Sequence, residues 1–567
     1  MKYRYYLALL TSITLLTATA PMTILAENAS NTETTDNSIS SDVSENKETK
    51  ENTDTEKDSS KNKPEKPSGG EKPDGQPPEK PNGENTSGSK PDGEPPEMPN
   101  GEAPGGMGGP GGGANTQTYD YSGELNGSVT ADGTEETSTD TTVEATEKDQ
   151  NALLVHNGGS LTATNDTINK SGDDTDGDNC NFYGLNSIAL AVGENSLLTI
   201  SDSTLSAESA GSNAVFATDN ATAYVSGTTI KTEADNSRGL DATYGGTIVA
   251  ENVSIETKGD HSASIATDRG GGNISTENST LNTEGSGSPL LYSTGTIEVD
   301  QVTGTASGSQ IAGMEGLNTI LIQNSDLSST ITDKTASDPV ANGVIIYQST
   351  SGDAETSAGE KALFQATNST LSSAITSGSM FYVTNTSANI ILSDTVLEFD
   401  SENANLLQIE GNNANNWGSA GSNGADVTFT AIGETLAGGI SVDTISSLDL
   451  YLLESTSYSG NTAITENTDS SESKESPITV NIDSTSTWIL TEDSTITHLN
   501  AAEGAQIVDA EGNSVTILVD GEKVVEGTSA LTLTVTGSYT QGIIIGTDNA
   551  VTDTTIDRAE FESKFSA

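Results

Sequence analysis

The chain of 567 residues is short of what a large globular core is built from. Only 32% of its residues are hydrophobic and 4% aromatic, which argues against a single compact core of that size. Basic residues are scarce as well. Twenty-three Lys and Arg stand against 83 Asp and Glu, a formal charge of −60. Phosphate backbones and anionic membrane surfaces are repelled by such a chain, and nucleic acid is excluded as a partner. A single cysteine, Cys180, leaves neither an internal disulfide nor a cysteine zinc site. The three histidines, His156, His261 and His498, lie too far apart in sequence for zinc-ligand spacing.

Apolar runs are almost confined to the N-terminus. "MKYRYYLALLTSITLLTATAPMTILA" places Lys2 and Arg4 before an apolar run from Leu7 to Leu16 and then small residues, the layout of a secretory signal peptide over residues 1–26 with cleavage expected after Ala26. The run is short for a membrane span, and no second one follows, so no transmembrane segment is expected in the mature chain. From Glu27 to Ala114 a Ser/Thr/Asn/Glu-rich stretch passes into a Pro/Gly-rich one ending "GEAPGGMGGPGGGAN". Neither carries enough apolar surface to offset the entropy of ordering a backbone, so residues 27–114 are expected to be a disordered tether. The glycine run lacks the Lys of a phosphate loop.

What the chain has in abundance is a repeat. "LLTISDSTLSAES" from Leu197 returns as "TAYVSGTTIKTEA" from Thr222, "TIVAENVSIETKG" from Thr247, "NISTENSTLNTEG" from Asn273 and "TIEVDQVTGTASG" from Thr296. The lead apolar residues Leu198, Ala223, Ile248, Ile274, Ile297 and Ile320 follow at intervals of 25, 25, 26, 23 and 23. Alternation with period 2 inside each phrase calls for strands. A second phrase lies between, as in "NAVFATD" from Asn213 and "RGLDATYGG" from Arg238. Two short strands per repeat joined by Gly/Asn/Asp/Ser turns describe one coil of an all-β solenoid. Roughly 14 coils over residues 115–500, stacked about 4.8 Å apart, make a rod about 65 Å long. Insertions such as "SGDDTDGDNCNFYG" at Ser171–Gly184 are expected to bulge from the coils as loops. Past Trp488 and Ile489, "VTILVDGEKVVEG" alternates about Asp520-Gly521, a hairpin turn signal, and residues 501–567 are expected to form a β cap on the open end.

The rungs "TENSTLNTEG", "ATNSTLSSA" and "FYGLNSIALAVG" and the late phrase "STWILTEDSTITHL" resemble those of secreted bacterial right-handed parallel β-helix proteins. That group is similar in fold to pectate lyases and autotransporter adhesins and includes many adhesin-like surface proteins. The resemblance spans roughly residues 120 to 500 and implies handedness and a cell-surface setting. Its motifs specify fold far better than activity.

Chemistry is thinly marked. A lyase on this fold needs a carboxylate cluster for calcium with a basic residue, and a glycoside hydrolase needs facing carboxylates. From Asn115 onward there are 12 Lys and Arg. The best grouping sets Arg238, Asp241 and Tyr244 on one coil beside His261, Asp268 and Arg269 on the next. Phrase alignment puts Asp241 level with Phe216, Ile265 and Leu291, facing outward. Solvated charges at turns are the expectation here, with these residues the candidates if the protein is an enzyme. Asp174, Asp176 and Asp178 keep the opening spacing of a calcium loop, but Asn179 stands where its glycine belongs and Leu185 where its closing Glu belongs, so a solvated acidic loop is favoured over a calcium site. No other cofactor is suggested, and nothing in the sequence speaks to oligomeric state. The reading that emerges is a secreted, surface-displayed, non-catalytic β-helix presenting a face to a polysaccharide or a host partner. A carbohydrate-active enzyme on the same fold and a purely structural stalk are the alternatives.

Overall fold

Alternating side chains bury one face of every strand, and no single coil can close a core alone, so the coils stack. In the computed structural model, which describes residues 117–349, 354, 361–415 and 417–565, this stacking produces a parallel β-helix. The expected signal peptide (1–26) and tether (27–114) lie outside the described residues. Sheet A has 13 strands and sheet B 15, while sheet C has ten and is followed by a separate sheet of four. Thr222–Ser226 pairs in parallel with Leu197–Ser201 before it and Thr247–Glu251 after it, residue for residue. Sheet B carries 14 such rungs before its last, cap-associated strand, in keeping with the number of coils expected.

Each coil contains three strands rather than the two expected. One coil runs Val215–Thr218 in sheet A, Thr222–Ser226 in sheet B and Thr229–Thr232 in sheet C. The phrase read as one strand is two, because the corner dividing it takes only two residues. The first corner residue is left-handed in coil after coil: Asp202, Gly227, Asn252, Asn278, Gln301, Asn324, Asn368 and Asp394 have φ between 46° and 58°. Asn, Asp and Gly tolerate that region best. The residue after it is often Ser or Thr, whose hydroxyl takes a backbone N–H from the coil before: Asp166 N to Ser203 Oγ, Val253 N to Ser279 Oγ and Ser325 N to Ser369 Oγ are each 3.0 Å. The Asn-Ser-Thr-Leu phrase is thus a corner: a left-handed residue, a hydroxyl for the neighbouring coil, a strand start and an inward-facing Leu281. Small polar side chains do here what a larger core would otherwise have to do.

The core is a continuous column. Leu198, Ala223, Ile248, Ile274, Ile297 and Ile320 are in register and fully buried. At the C-terminal end, Thr516–Val519 and Glu522–Val525 form an antiparallel hairpin about Asp520 and Gly521, both left-handed, as the Asp-Gly signal predicts. Their sheet adds Val515, Ile517, Leu533 and Val535 to the core, so this part is the expected cap.

Beyond Thr540 the chain leaves the cap, which the sequence does not foretell. It runs back along the outside of sheet B over one row of outward residues, Tyr224, Val249, Ser275, Glu298, Leu321, Gln365, Ile391 and Thr430, in register across eight coils. Asn549 donates to Thr430 (2.9 Å), Thr552 exchanges two hydrogen bonds with Gln365, and Glu298 accepts from Thr555 N (2.6 Å). The helix Ala559–Phe565 follows. Arg558 bridges Glu277 and Ser275 (both 2.9 Å), and Phe561 is buried against Tyr224 and Val249. This strap is held by side chains and carries no ladder of its own, so it opens more easily than the coils. Phe561→Ala is expected to expose residues 547–565 to limited proteolysis while the main thermal transition moves by only a few degrees. Unchanged cleavage would place the anchoring energy elsewhere.

Candidate functional site on sheet A

Sheet A presents an outward row that is not uniform: Phe216, Asp241, Ala266, Tyr292, Gly313, Ile345 and Tyr382 are successive partners. The alignment expected for Asp241 is therefore wrong by one residue downstream. Leu240 pairs with Ile265 and Ile265 with Leu291, and all three face the core. Matching apolar letters across strands of three and four residues produced the slip, and a slip of one inverts the face. Asp241 does point outward, yet it is fully buried.

What covers it is the Ser171–Gly184 insertion, which folds as a helix, Gly177–Tyr183. Asp176 caps it, accepting from Asp178 N and Asn179 N, and left-handed Gly184 (φ 73°) ends it where a Cβ would lie 2.5 Å from Phe216 and 2.6 Å from Leu190. Thr243 donates to Phe182 O (2.8 Å) and Asn213 to Cys180 O (3.1 Å), fastening the helix onto sheet A. Tyr119, Tyr183 and Tyr244 pack together beside it. Asp176 thus serves the helix, and among the described residues no three His, Cys, Asp or Glu side chains converge as a metal site. Asp174, Asp176 and Asp178 are not gathered around a common point. Cys180 is buried beneath the helix, and its thiol is pushed up by burial and then by Asp174.

The expected solvated charges are instead a buried cluster. Arg238 lies 2.9 Å from Asp241 and 2.9 Å from Asp268 and reaches Asn181 at 3.3 Å. Two carboxylates thus share one guanidinium. Burial raises the Asp241 carboxyl to about 7 despite Arg238, and Asp268 pushes in the same direction. One oxygen of Asp241, Oδ1, has no hydrogen-bond partner. Arg269 lies over the Phe182 ring at 3.6 Å, a cation–π contact that holds the helix from the other side. Of the sequence candidates, then, Arg238, Asp241, Asp268 and Arg269 do meet.

Arg238 and Asp268 also line a cavity of about 300 Å³. Its near wall is Asn181 and Phe182, and His261 enters from a left-handed turn position (φ 55°). Tyr292, Gln310 and Gly313 form the floor, and the far wall is Thr335–Asp338 with Tyr347 and Trp417. Tyr347 and Trp417 stack with ring centroids 4.2 Å apart. Glu315 accepts from Tyr292 at 3.0 Å and from Ser349. Burial, with Glu315 nearby, holds the Tyr292 and Tyr347 phenols protonated. Asp338 is 7% exposed, and Asn342 donates to its Oδ2 at 2.8 Å. Burial raises its carboxyl to about 6. Gln310 Oε1 accepts from Ser309 (2.7 Å). Among the described residues Gln310 Nε2 and Asp338 Oδ1 make no hydrogen bond to the protein, and both residues line the cavity.

Tyr292, Gln310, Asp338, Tyr347 and Trp417 escaped the sequence reading. The rarity of aromatics was the available signal: Trp417 is one of two tryptophans, and the other, Trp488, is core. The remaining histidines lie away from the cavity. His156 is 3.8 Å from Asp132. His498 Nδ1 accepts from Ser538 N (3.1 Å), so in the neutral ring Nε2 carries the proton and faces Ser476 at 2.9 Å as a donor, not as a base. No helix among the described residues is long and apolar enough to cross a membrane. Comparison of the chain with protein families and with curated proteins finds no match to either.

Proposed function

We propose that the protein binds glycans through the sheet A cavity, displayed outside the cell as the N-terminal sequence suggests. The observation that carries this is the stacked Tyr347–Trp417 wall beside an unpartnered donor, Gln310 Nε2, and an unpartnered acceptor, Asp338 Oδ1. A sugar offers apolar ring faces to aromatics and hydroxyls that both donate and accept, so it meets each of these groups. Carboxylates dominate the surroundings and disfavour polyanionic polymers. Trp417→Ala is expected to weaken binding of its best oligosaccharide about tenfold, or about 1.4 kcal/mol, in calorimetric titration. Unchanged affinity would remove the cavity from this role.

A second reading, glycoside hydrolysis, is favoured by one observation. Asp268, ion-paired to Arg238, and Asp338, raised toward neutrality, line one cavity, and a charged and a protonated carboxyl are the pair such chemistry needs. Asp241, sealed behind Arg238, cannot touch a substrate. New reducing ends in the titration samples, lost in Asp268→Asn and Asp338→Asn, would promote this reading over binding alone.

A further inference from the structure

We infer that the outer face of sheet B is a receptor for the C-terminal strap of a second copy of this chain as well as for its own, so that neighbouring copies pair by exchanging straps. The inference is independent of the sheet A cavity and starts from a match of spacings. Asn549, Thr552 and Thr555 stand three residues apart and meet Thr430, Gln365 and Glu298, which follow one another two coils apart along the outward row. Three extended residues cover about 10 Å, and two steps between parallel strands about 9.6 Å. Arg558 keeps the interval, reaching Ser275 and the carbonyl of Ala250 on the next coil. Phe561 keeps it again and closes on Tyr224 and Val249. Sheet B thus receives the strap at every third residue, through side chains that read a particular sequence.

An identical strap arriving from another copy makes the same contacts, so the connection to the cap decides which rod it lies on. Residues 541–546 form that connection and belong to no strand or helix. Gly542 has φ 145°, which side chains rarely adopt, and open space where a Cβ would stand. Ile544 and Ile545 follow, 87% and 55% exposed. With Val551 they make three of the five large apolar side chains exposed among the described residues, a concentration that solitary surface residues do not explain. A chain closed on its own rod leaves the two isoleucines in water. In a pair related by a two-fold axis the two connections cross side by side, and each chain's isoleucines cover the other's. Against this gain stand the short connection, which keeps a strap near its own rod at an effective concentration of order mM, and repulsion between chains of formal charge −60. Exchange therefore belongs to crowded copies in screening salt.

The test uses the full chain in two arms. In the first, a concentration series reaching about millimolar in physiological salt is warmed until residues 547–565 become open to protease while the coils stay folded, then cooled and sized by light scattering. Dimers with protected straps are expected at the high end. Ile544→Ser with Ile545→Ser should leave the strap of the monomer protected and weaken dimer association about tenfold or more, the worth of burying one such side chain. A chain that stays monomeric throughout, or dimers indifferent to that change, would overturn the inference. The second arm mixes two full-length variants. One has a crippled strap, Arg558→Ala with Phe561→Ala. The other has a crippled face, Glu298→Ala with Gln365→Ala, two outward side chains whose hydrogen bonds among the described residues go to the strap alone, so the coils are spared. Neither variant should pair by itself, and the mixture should give a one-to-one complex in which the intact strap regains its protection. A mixture that stays monomeric with both straps cleaved would overturn the inference, and so would dimers of either variant alone, since they need no exchange.

Discussion

Ile248→Asp is expected to lower stability by several kcal/mol and to split the thermal transition. Ile248 lies fully buried in register between Ala223 and Ile274, with coils above and below and the hydrophobic column around it. A carboxylate there has no partner, and protonating it still leaves a buried polar group. Since each coil contacts chiefly its neighbours, the damage is confined to the coils carrying residues 223 to 274, and the distant coils should melt separately. Circular dichroism melts and hydrogen exchange would both register this. A single unshifted transition would mean that Ile248 does not face the core.

Arg238→Ala should cost about 3–5 kcal/mol, an effect of similar size with a different cause. Removing the guanidinium leaves Asp241 and Asp268 close together under the helix Gly177–Tyr183 without the charge that bridges them. The loss should depend on pH in a defined direction. With Arg238 gone, the folded-state pKa of Asp241 rises still further above its unfolded value near ~3.9. A group raised in this way favours folding below the unfolded pKa and loses that contribution as pH rises through the folded one. The part of the gap between variant and wild type that comes from Asp241 should therefore open as pH rises through about 7, where the wild-type carboxyl ionises, and close on acidification below it. Asp241→Asn in the variant background should recover part of the loss at neutral pH. A gap independent of pH, with no recovery, would reduce Arg238 to a packing residue.

Fold and site differ in how far they could be read from sequence, and the reason is locality. The corner Asn278-Ser279-Thr280-Leu281 encodes a left-handed turn, an inter-coil hydrogen bond and an inward side chain within four residues, so the coil was legible wherever that phrase recurs. Asp520-Gly521 is equally local. The third sheet was missed because a two-residue corner leaves period-2 alternation almost unbroken across it. Cavity residues are set by stacking across loops of unequal length. Asp268, Tyr347 and Trp417 come together although 149 positions separate the first from the last, and no local pattern records which coil a loop will overhang. Asp241 shows the same limit at the scale of a single position. The strap is legible only in hindsight: the 12 basic residues after Asn115 include three arginines, and Arg558, in a tail with no repeat phrase, forms its ion pair with Glu277 on sheet B.

That strap gives the rod an uneven response to force. Because Phe561 sits at the coil of Tyr224 and not at the cap, tension applied to the C-terminal end first peels the helix Ala559–Phe565 and then breaks the side-chain contacts one after another, from Ser275 and Glu277 toward Thr430. Each yields separately, as in unzipping, and the slack released lengthens the chain before any coil is loaded. The coils themselves, pulled across the rod, resist through whole ladders of parallel hydrogen bonds loaded together. A ligand held on sheet A, a different face from the one the strap covers, would load the coils directly and leave the strap out of the path.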